Sequence, residues 1–277
     1  MGKRRPDSNG GLTVPRRFVT GADSESSWPL TFEFRFPRLA SGLDFIPAFI
    51  IGMKKKITVS RLPDAPTPWE GVIDGSNPLR VLMVGDSTAA GCGANERDEM
   101  LAARIAHHAS VATGRGATWR AIGQNGHRTD QFIADYLDAA LAHPADVIYV
   151  SLGANDAMTV RNRRVVARNI IRIASALRAA NPNAVIAVSS LPAFFRFTRL
   201  PEPLRSTLYR ISQGIERTTR MRLDGEDRIT MNRPPTPYPD GFFARDGFHP
   251  GPLGYDLWGK LVVDEFVERG ELAALSR

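Results

Sequence analysis

One cysteine, Cys92, stands in 277 residues. A single thiol excludes an intramolecular disulfide framework and a Cys-rich zinc module, and it fits a reducing compartment. Long apolar runs are missing as well. The most conspicuous, Phe45 to Met53 (FIPAFIIGM), spans nine residues, whereas a helix needs about 20 to cross a bilayer. The charged start, Met1 to Arg5, is not followed by an apolar stretch, because residues 6–30 are rich in Pro, Gly, Ser and charge. No secretory signal is therefore expected, and the expected location is cytoplasmic, possible contact with a membrane surface aside. Internal repeats and heptads are absent, which excludes a solenoid and a coiled coil.

The charge is unevenly spread. Residues 1–62 hold 11 Lys/Arg against 5 Asp/Glu, net +6, and residues 63–277 hold 25 against 24, net +1. The sequence pI near 10.0 thus comes mostly from the N-terminal part. Nucleic-acid binders usually carry their basic stripe on the folded domain, so no specific nucleic-acid partner is expected. The extension could meet an anionic membrane weakly, with Phe45–Met53 in lipid and Lys54, Lys55 and Lys56 on headgroups. The competing reading is a short segment docked on the folded domain, which the brevity of the run and Pro47 within it favour.

Composition divides the chain into a basic, partly disordered extension over 1–62, a linker over 63–79 (PDAPTPWEGVIDGSNPL) and a regular domain over 80–277. In the domain, apolar β-prone runs at 80–84, 117–122, 146–151 and 184–189 alternate with helical patterns near 96–112, 129–142, 161–180, 202–222 and 253–269. Continuous apolar strands alternating with helices predict a parallel sheet covered on both faces.

Ligands of such sheets bind outside the carboxyl ends of the strands. After the first strand comes Gly85-Asp86-Ser87-Thr88-Ala89-Ala90-Gly91. This Gly-rich loop lacks the Gly-Lys-Ser/Thr ending of a P-loop and the Gly-x-Gly-x-x-Gly of dinucleotide folds. Ser87 sits on a tight strand-to-helix turn that would expose its hydroxyl as a nucleophile; the other reading is an ordinary helix N-cap. His249 follows Asp246 by three residues in a segment punctuated by Gly and Pro. That spacing lets the carboxylate fold back on one imidazole nitrogen, leaving the other as a general base. Asn155, in Gly153-Ala154-Asn155-Asp156, could offer its amide to an oxyanion or could close a turn.

Gly85-Asp86-Ser87, Gly153 to Asp156 and Asp246 to His249, in that order, resemble the first, third and fifth blocks of the GDSL/SGNH hydrolases over about residues 80–269. The resemblance implies a flavodoxin-like, three-layer α/β/α fold and a serine hydrolase that needs no metal or other cofactor. It makes Ser87 the nucleophile and one oxyanion donor, Gly126 and Asn155 the other donors, His249 the base and Asp246 its orienter. Thr88 stands where many members have Leu. Gly126-His127-Arg128-Thr129 has one residue more than the usual Gly-x-Thr, so Gly123 stays open as the second-block donor.

The expected substrate is a small acyl ester or acylated sugar, cleaved through an acyl-enzyme. An acyltransferase using the same groups and a non-catalytic binding module are the alternatives. Phe194, Phe195 and Phe197 could line an acyl slot or belong to the core. His127 borders the pocket by position. His107 and His108 read as surface or satisfied core and Cys92 as a small buried residue. Arg161, Arg163, Arg164 and Arg168 read as a solvated helix face, with an acidic substrate as the other possibility.

Overall fold

The computed structural model describes residues 62–197, 200–226 and 228–275. Apart from Leu62, the extension over 1–62 lies outside the described residues, including Phe45–Met53 and Lys54 to Lys56.

The strands are Glu70–Ile73 (β1), Leu79–Gly85 (β2), Ala117–Gly123 (β3), Val147–Ser151 (β4), Val185–Val188 (β5) and Ile229–Met231 (β6). The helices are Leu101–Thr113 (α1), Thr129–Asp135 (α2), Leu137–Leu141 (α3), Ala154–Met158 (α4) and Arg163–Ala180 (α5). After them come Leu204–Leu223 (α6), Pro252–Glu268 (α7) and Glu271–Ala274 (α8). Two short 3₁₀ turns, Arg97–Glu99 and Phe194–Arg196, complete the set among the described residues.

The sheet order is β1-β3-β2-β4-β5-β6, parallel throughout except for the antiparallel β1–β3 pair. β4 and β5 are buried at every residue, and β2 at every residue but Arg80. Unbroken burial is what a strand covered on both faces requires, and it explains the uninterrupted apolar runs. Side chains alternate between the two faces. Leu79, Val81, Met83 and Tyr149 pack with Ile105 of α1 and Val262 and Phe266 of α7. Leu82, Val84, Ile148 and Val150 pack with Phe132 of α2, Ile170 and Ile173 of α5 and Ile215 of α6. The result is the three-layer α/β/α arrangement.

Counted from β2, the parallel strands run 2-1-3-4-5, the flavodoxin-like order. The chain leaves β2 toward β3 on one side and later fills β4 on the other. A crevice opens at the carboxyl ends where that direction reverses. Ser87 follows β2 and Asn155 follows β4, so this switch brings both to one place.

Some local readings change. Residues 63–79 read as linker, yet Glu70–Ile73 pairs with β3. Gly71 is needed there because a Cβ would come within 2.6 Å of the Trp119 indole. The single helix read over 129–142 is broken at Tyr136, whose φ of −131° is not helical. Gly85 and Gly123 face each other at the end of the β2–β3 register. A Cβ on Gly123 would lie 2.0 Å from the Gly85 carbonyl oxygen, so the close strand approach beside Ser87 demands glycine.

Ile170 is fully buried beneath the sheet, and truncation there leaves a cavity as well as losing transfer energy. Ile170→Ala is expected to lose about 2–5 kcal/mol of unfolding free energy, read as a lower urea midpoint with an unchanged slope.

Candidate active site

Ser87 emerges directly from β2 in a turn closed by Ala90 N–H to Asp86 O (3.0 Å) and Cys92 N–H to Ser87 O (2.9 Å). The sequence suggested that this turn would run into a helix. Instead Gly91 (φ +68°) and Gly93 (φ +99°) redirect the chain, and the next α-helix, α1, begins at Leu101. A Cβ on Gly91 would meet Ala65 and Met100 at 2.7 Å, so the redirected turn is packed as well as left-handed.

The histidine comes from the loop before α7. Asp246, 2% exposed, accepts from the Phe248 N–H (2.9 Å) and the His249 N–H (3.0 Å) on Oδ1. Its Oδ2 lies 2.7 Å from His249 Nδ1. The three-residue spacing therefore lets one carboxylate hold both the loop backbone and the ring. The second ring nitrogen, Nε2, lies 3.0 Å from Ser87 Oγ. With the proton on Nδ1, that nitrogen accepts from the serine hydroxyl. The loop itself is fastened by Ala244 N–H to His249 O (2.8 Å) and Gly251 N–H to Phe242 O (2.8 Å).

Asn155 opens α4 and makes a different set of contacts. Its Nδ2 donates to Asp86 Oδ2 (3.1 Å) and to the His127 carbonyl (3.0 Å). Both amide hydrogens are thus engaged by groups flanking Ser87 and Gly126. The neighbouring Asp156, also buried, accepts from the Thr129 N–H and the Thr129 hydroxyl, each at 2.9 Å. That pair ties α4 to α2 and so holds the loop from Gly123 to Arg128 beside Ser87.

Gly126 has φ +84° and open space where a side chain would be. Among the described residues, neither its N–H nor that of Ser87 has an acceptor. Asn125 next to it is pinned to Asp64 Oδ1 and Cys92 Sγ, both at 3.1 Å. Cys92 is buried and in turn donates to Asp64 (3.2 Å). Burial pushes its thiol well above the usual range, with the adjacent Asp64 acting the same way.

Two carboxyls at the site respond in opposite senses. Burial disfavours ionisation of Asp246, but the hydrogen bonds from the His249 ring and the Phe248 N–H outweigh it and hold the carboxyl below its usual range. Asp86 is buried with fewer donors, and burial pushes it up to about 6 despite the Thr88 N–H.

A cavity adjoins Ser87 and His249, walled by Leu191, Phe197, Tyr238, Phe242, Phe243 and Phe248. Of the three phenylalanines singled out in sequence, only Phe197 reaches it. Phe194 is core, and Phe195 is 37% exposed beneath the Arg196 guanidinium. Tyr238, Phe242 and Phe243 carry no motif, and only the tertiary fold brings them here. His127 does not line the cavity; its Nε2 sits 3.0 Å from Asp135 Oδ2. His107 is exposed, and His108 pairs with Asp256 on α7 at 3.0 Å. Asp86 and Asp156 are the residues that sequence reasoning left without roles. Their partners, Asn155 and Thr129, are distant in sequence, and only their places inside the two motifs hinted at them.

A profile of the GDSL-like lipase/acylhydrolase family matches residues 83–257. The chain belongs to this family and is an ester hydrolase. It is 25% identical over 222 residues to a GDSL-like esterase of Mycobacterium tuberculosis, covering 72% of this chain and 69% of that one. A lipase from a goat rumen metagenome matches with a TM-score of 0.54 at 14% identity, over 67% of this chain and 96% of that one. For a family 3 carbohydrate esterase of Clostridium thermocellum the TM-score is 0.52 at 15% identity, over 73% and 100% of the two chains. An extracellular lipase of Streptomyces rimosus gives 0.51 at 16% identity, over 68% and 99%. These structures share the fold.

The opposed carboxyls generate a pH test. Asp86 binds its proton more tightly in the folded chain, its carboxyl lying near 6 against an ordinary 3.8. Its contribution to stability is therefore full below about pH 4 and lost as pH rises through about 6. Asp246 has the opposite sign, contributing above its unfolded value and losing the contribution as pH falls. Comparing Asp86→Asn with wild type isolates the first group. The melting-temperature difference between variant and wild type should move in the variant's favour between about pH 4 and 7; a constant difference would mean that Asp86 does not titrate there.

Proposed function

We propose that the chain hydrolyses carboxylic esters through an acyl-enzyme on Ser87. The observation that carries this reading is the continuous contact Asp246–His249–Ser87, at 2.7 and 3.0 Å. Ser87 Oγ attacks the acyl carbonyl as its proton passes to His249 Nε2. Asp246 holds the ring in the Nδ1–H tautomer and faces the imidazolium charge as it forms. The tetrahedral intermediate collapses, His249 protonates the departing alcohol, and water then clears the acyl group by the same steps in reverse.

The developing oxyanion needs donors that are in place beforehand. Ser87 N–H and Gly126 N–H are unengaged among the described residues. That supports Gly126 over Gly123, whose place is dictated by the close approach to Gly85. Asn155 Nδ2 supplies the third donor by giving up the His127 carbonyl for the new charge while its other N–H stays on Asp86. The aromatic cavity beside Ser87 suits the acyl part of a lipid-type ester or a compact acyl group on a sugar. A series of p-nitrophenyl esters from acetyl to dodecanoyl reads its depth. Partition between water and an added alcohol separates hydrolysis from acyl transfer.

Because the oxyanion exists only on the way to the intermediate, loss of a donor should strike the chemical step rather than binding. Asn155→Ala is expected to lower kcat by about 10²–10³ with KM little changed. Ser87→Ala should lose ester turnover altogether. A raised KM with kcat intact would make Asn155 a binding residue instead.

A further inference from the structure

The near-neutral total of residues 63–277 conceals a segregation of charge. α5 contains five arginines and no acidic residue, and α6 contains five arginines and one glutamate. The two helices together hold 10 Arg against 1 Glu, net +9, leaving 15 basic against 23 acidic residues, net −8, for the rest of that stretch. α5 and α6 pack side by side on one face of the sheet, so the positive charge is concentrated on one surface.

The arginines are also in ordered rows. Arg164, Arg168 and Arg172 are exposed at successive i, i+4 positions of α5. On α6, Arg210 and Arg217 stand one turn to either side of Gly214, and the Arg163 side chain lies against that glycine. Among the described residues none of Arg163, Arg164, Arg168, Arg172 or Arg217 meets a carboxylate. The arginines that do pair, such as Arg205 with Glu202 and Arg220 with Glu216, are elsewhere on α6. Like charges one turn apart weaken a helix, so this arrangement costs the isolated fold something and calls for an anionic partner.

The apolar residues among these rows indicate which partner. Met221 is 74% exposed one turn beyond Arg217, and Val165 is 42% exposed beside Arg164. The aromatic rings at this end of α6, Tyr209 and Phe195, pack edge-to-face on each other, whereas a groove that stacks bases presents its ring faces free between the cations. Guanidinium groups with exposed aliphatic side chains between them match an interface of anionic headgroups over acyl chains. We infer that the outer face of α5 and α6 is a docking surface for an anionic lipid bilayer. The inference concerns binding and does not depend on which ester the site cleaves.

The test uses the full chain and vesicles of three parts phosphatidylcholine to one part phosphatidylserine, with pure phosphatidylcholine as control. Co-sedimentation is expected with the anionic vesicles only and should weaken with added salt. The combined variant Arg164→Gln, Arg168→Gln, Arg172→Gln and Arg217→Gln should lose up to about a thousandfold in apparent affinity. The same four positions changed to Lys should keep most of it. Turnover of a soluble acetyl ester without vesicles should be unchanged in both, and the melting temperature of the Gln variant should not fall. Wild-type vesicle binding by the Gln variant would overturn the inference. So would loss confined to a Lys54→Gln, Lys55→Gln, Lys56→Gln variant, or tighter binding to poly(U) RNA than to the vesicles.

Discussion

Asp246 accepts three N–H groups while almost wholly removed from water, and the site is built around that demand. A carboxylate in such a place is costly unless its lone pairs are matched. Here the Phe248 and His249 backbone groups and the His249 ring match them. Satisfying the charge therefore shapes the loop and aims the ring at the same time. The other ring nitrogen is left at the end of β2, where Ser87 leaves the sheet. The contact spans 162 residues of sequence, and the sheet makes it possible by delivering β2 and the α7 loop to one edge.

A second buried carboxyl, Asp86, lies on the other side of Ser87 and is treated differently by its surroundings. It receives Asn155 Nδ2 and the Thr88 N–H but no ring or guanidinium, and burial pushes it up to about 6. Two acids with divergent environments around one hydroxyl is the arrangement by which a fold separates roles among like groups. In the proposed mechanism Asp246 stays charged to face the imidazolium. Asp86 holds the Asn155 amide beside the position the oxyanion takes. Asp156 extends the same framework outward by clamping α2 to α4 through Thr129.

The central strands were legible because their burial on both faces leaves unbroken apolar runs, as in VLMV of β2 and VIYV of β4. The edge strands were not. β1 is four residues with a glycine dictated by the Trp119 ring, and β6 is three residues, too short for any period to register. Ser87, Asn155 and His249 stood out because each sits in a short motif after a strand or before a helix. What the motifs could not disclose was pairing across the fold, such as Asn155 with Asp86 or Asn125 with Asp64. The cavity wall was hidden for the same reason. Phe194, Phe195 and Phe197 are alike in sequence, but only Phe197 faces the cavity, while Tyr238 and Phe242 arrive from a Pro-rich loop.

In the proposed mechanism one serine, activated by one histidine, carries the acyl group. The most direct measurement is the site of covalent capture. Wild-type protein treated with a fluorophosphonate, digested and read by mass spectrometry should carry a single adduct on the peptide containing Ser87. The rate of labelling should collapse in His249→Ala while the fold, judged by circular dichroism, is retained. An adduct on any other serine, or undiminished labelling without His249, would contradict the account.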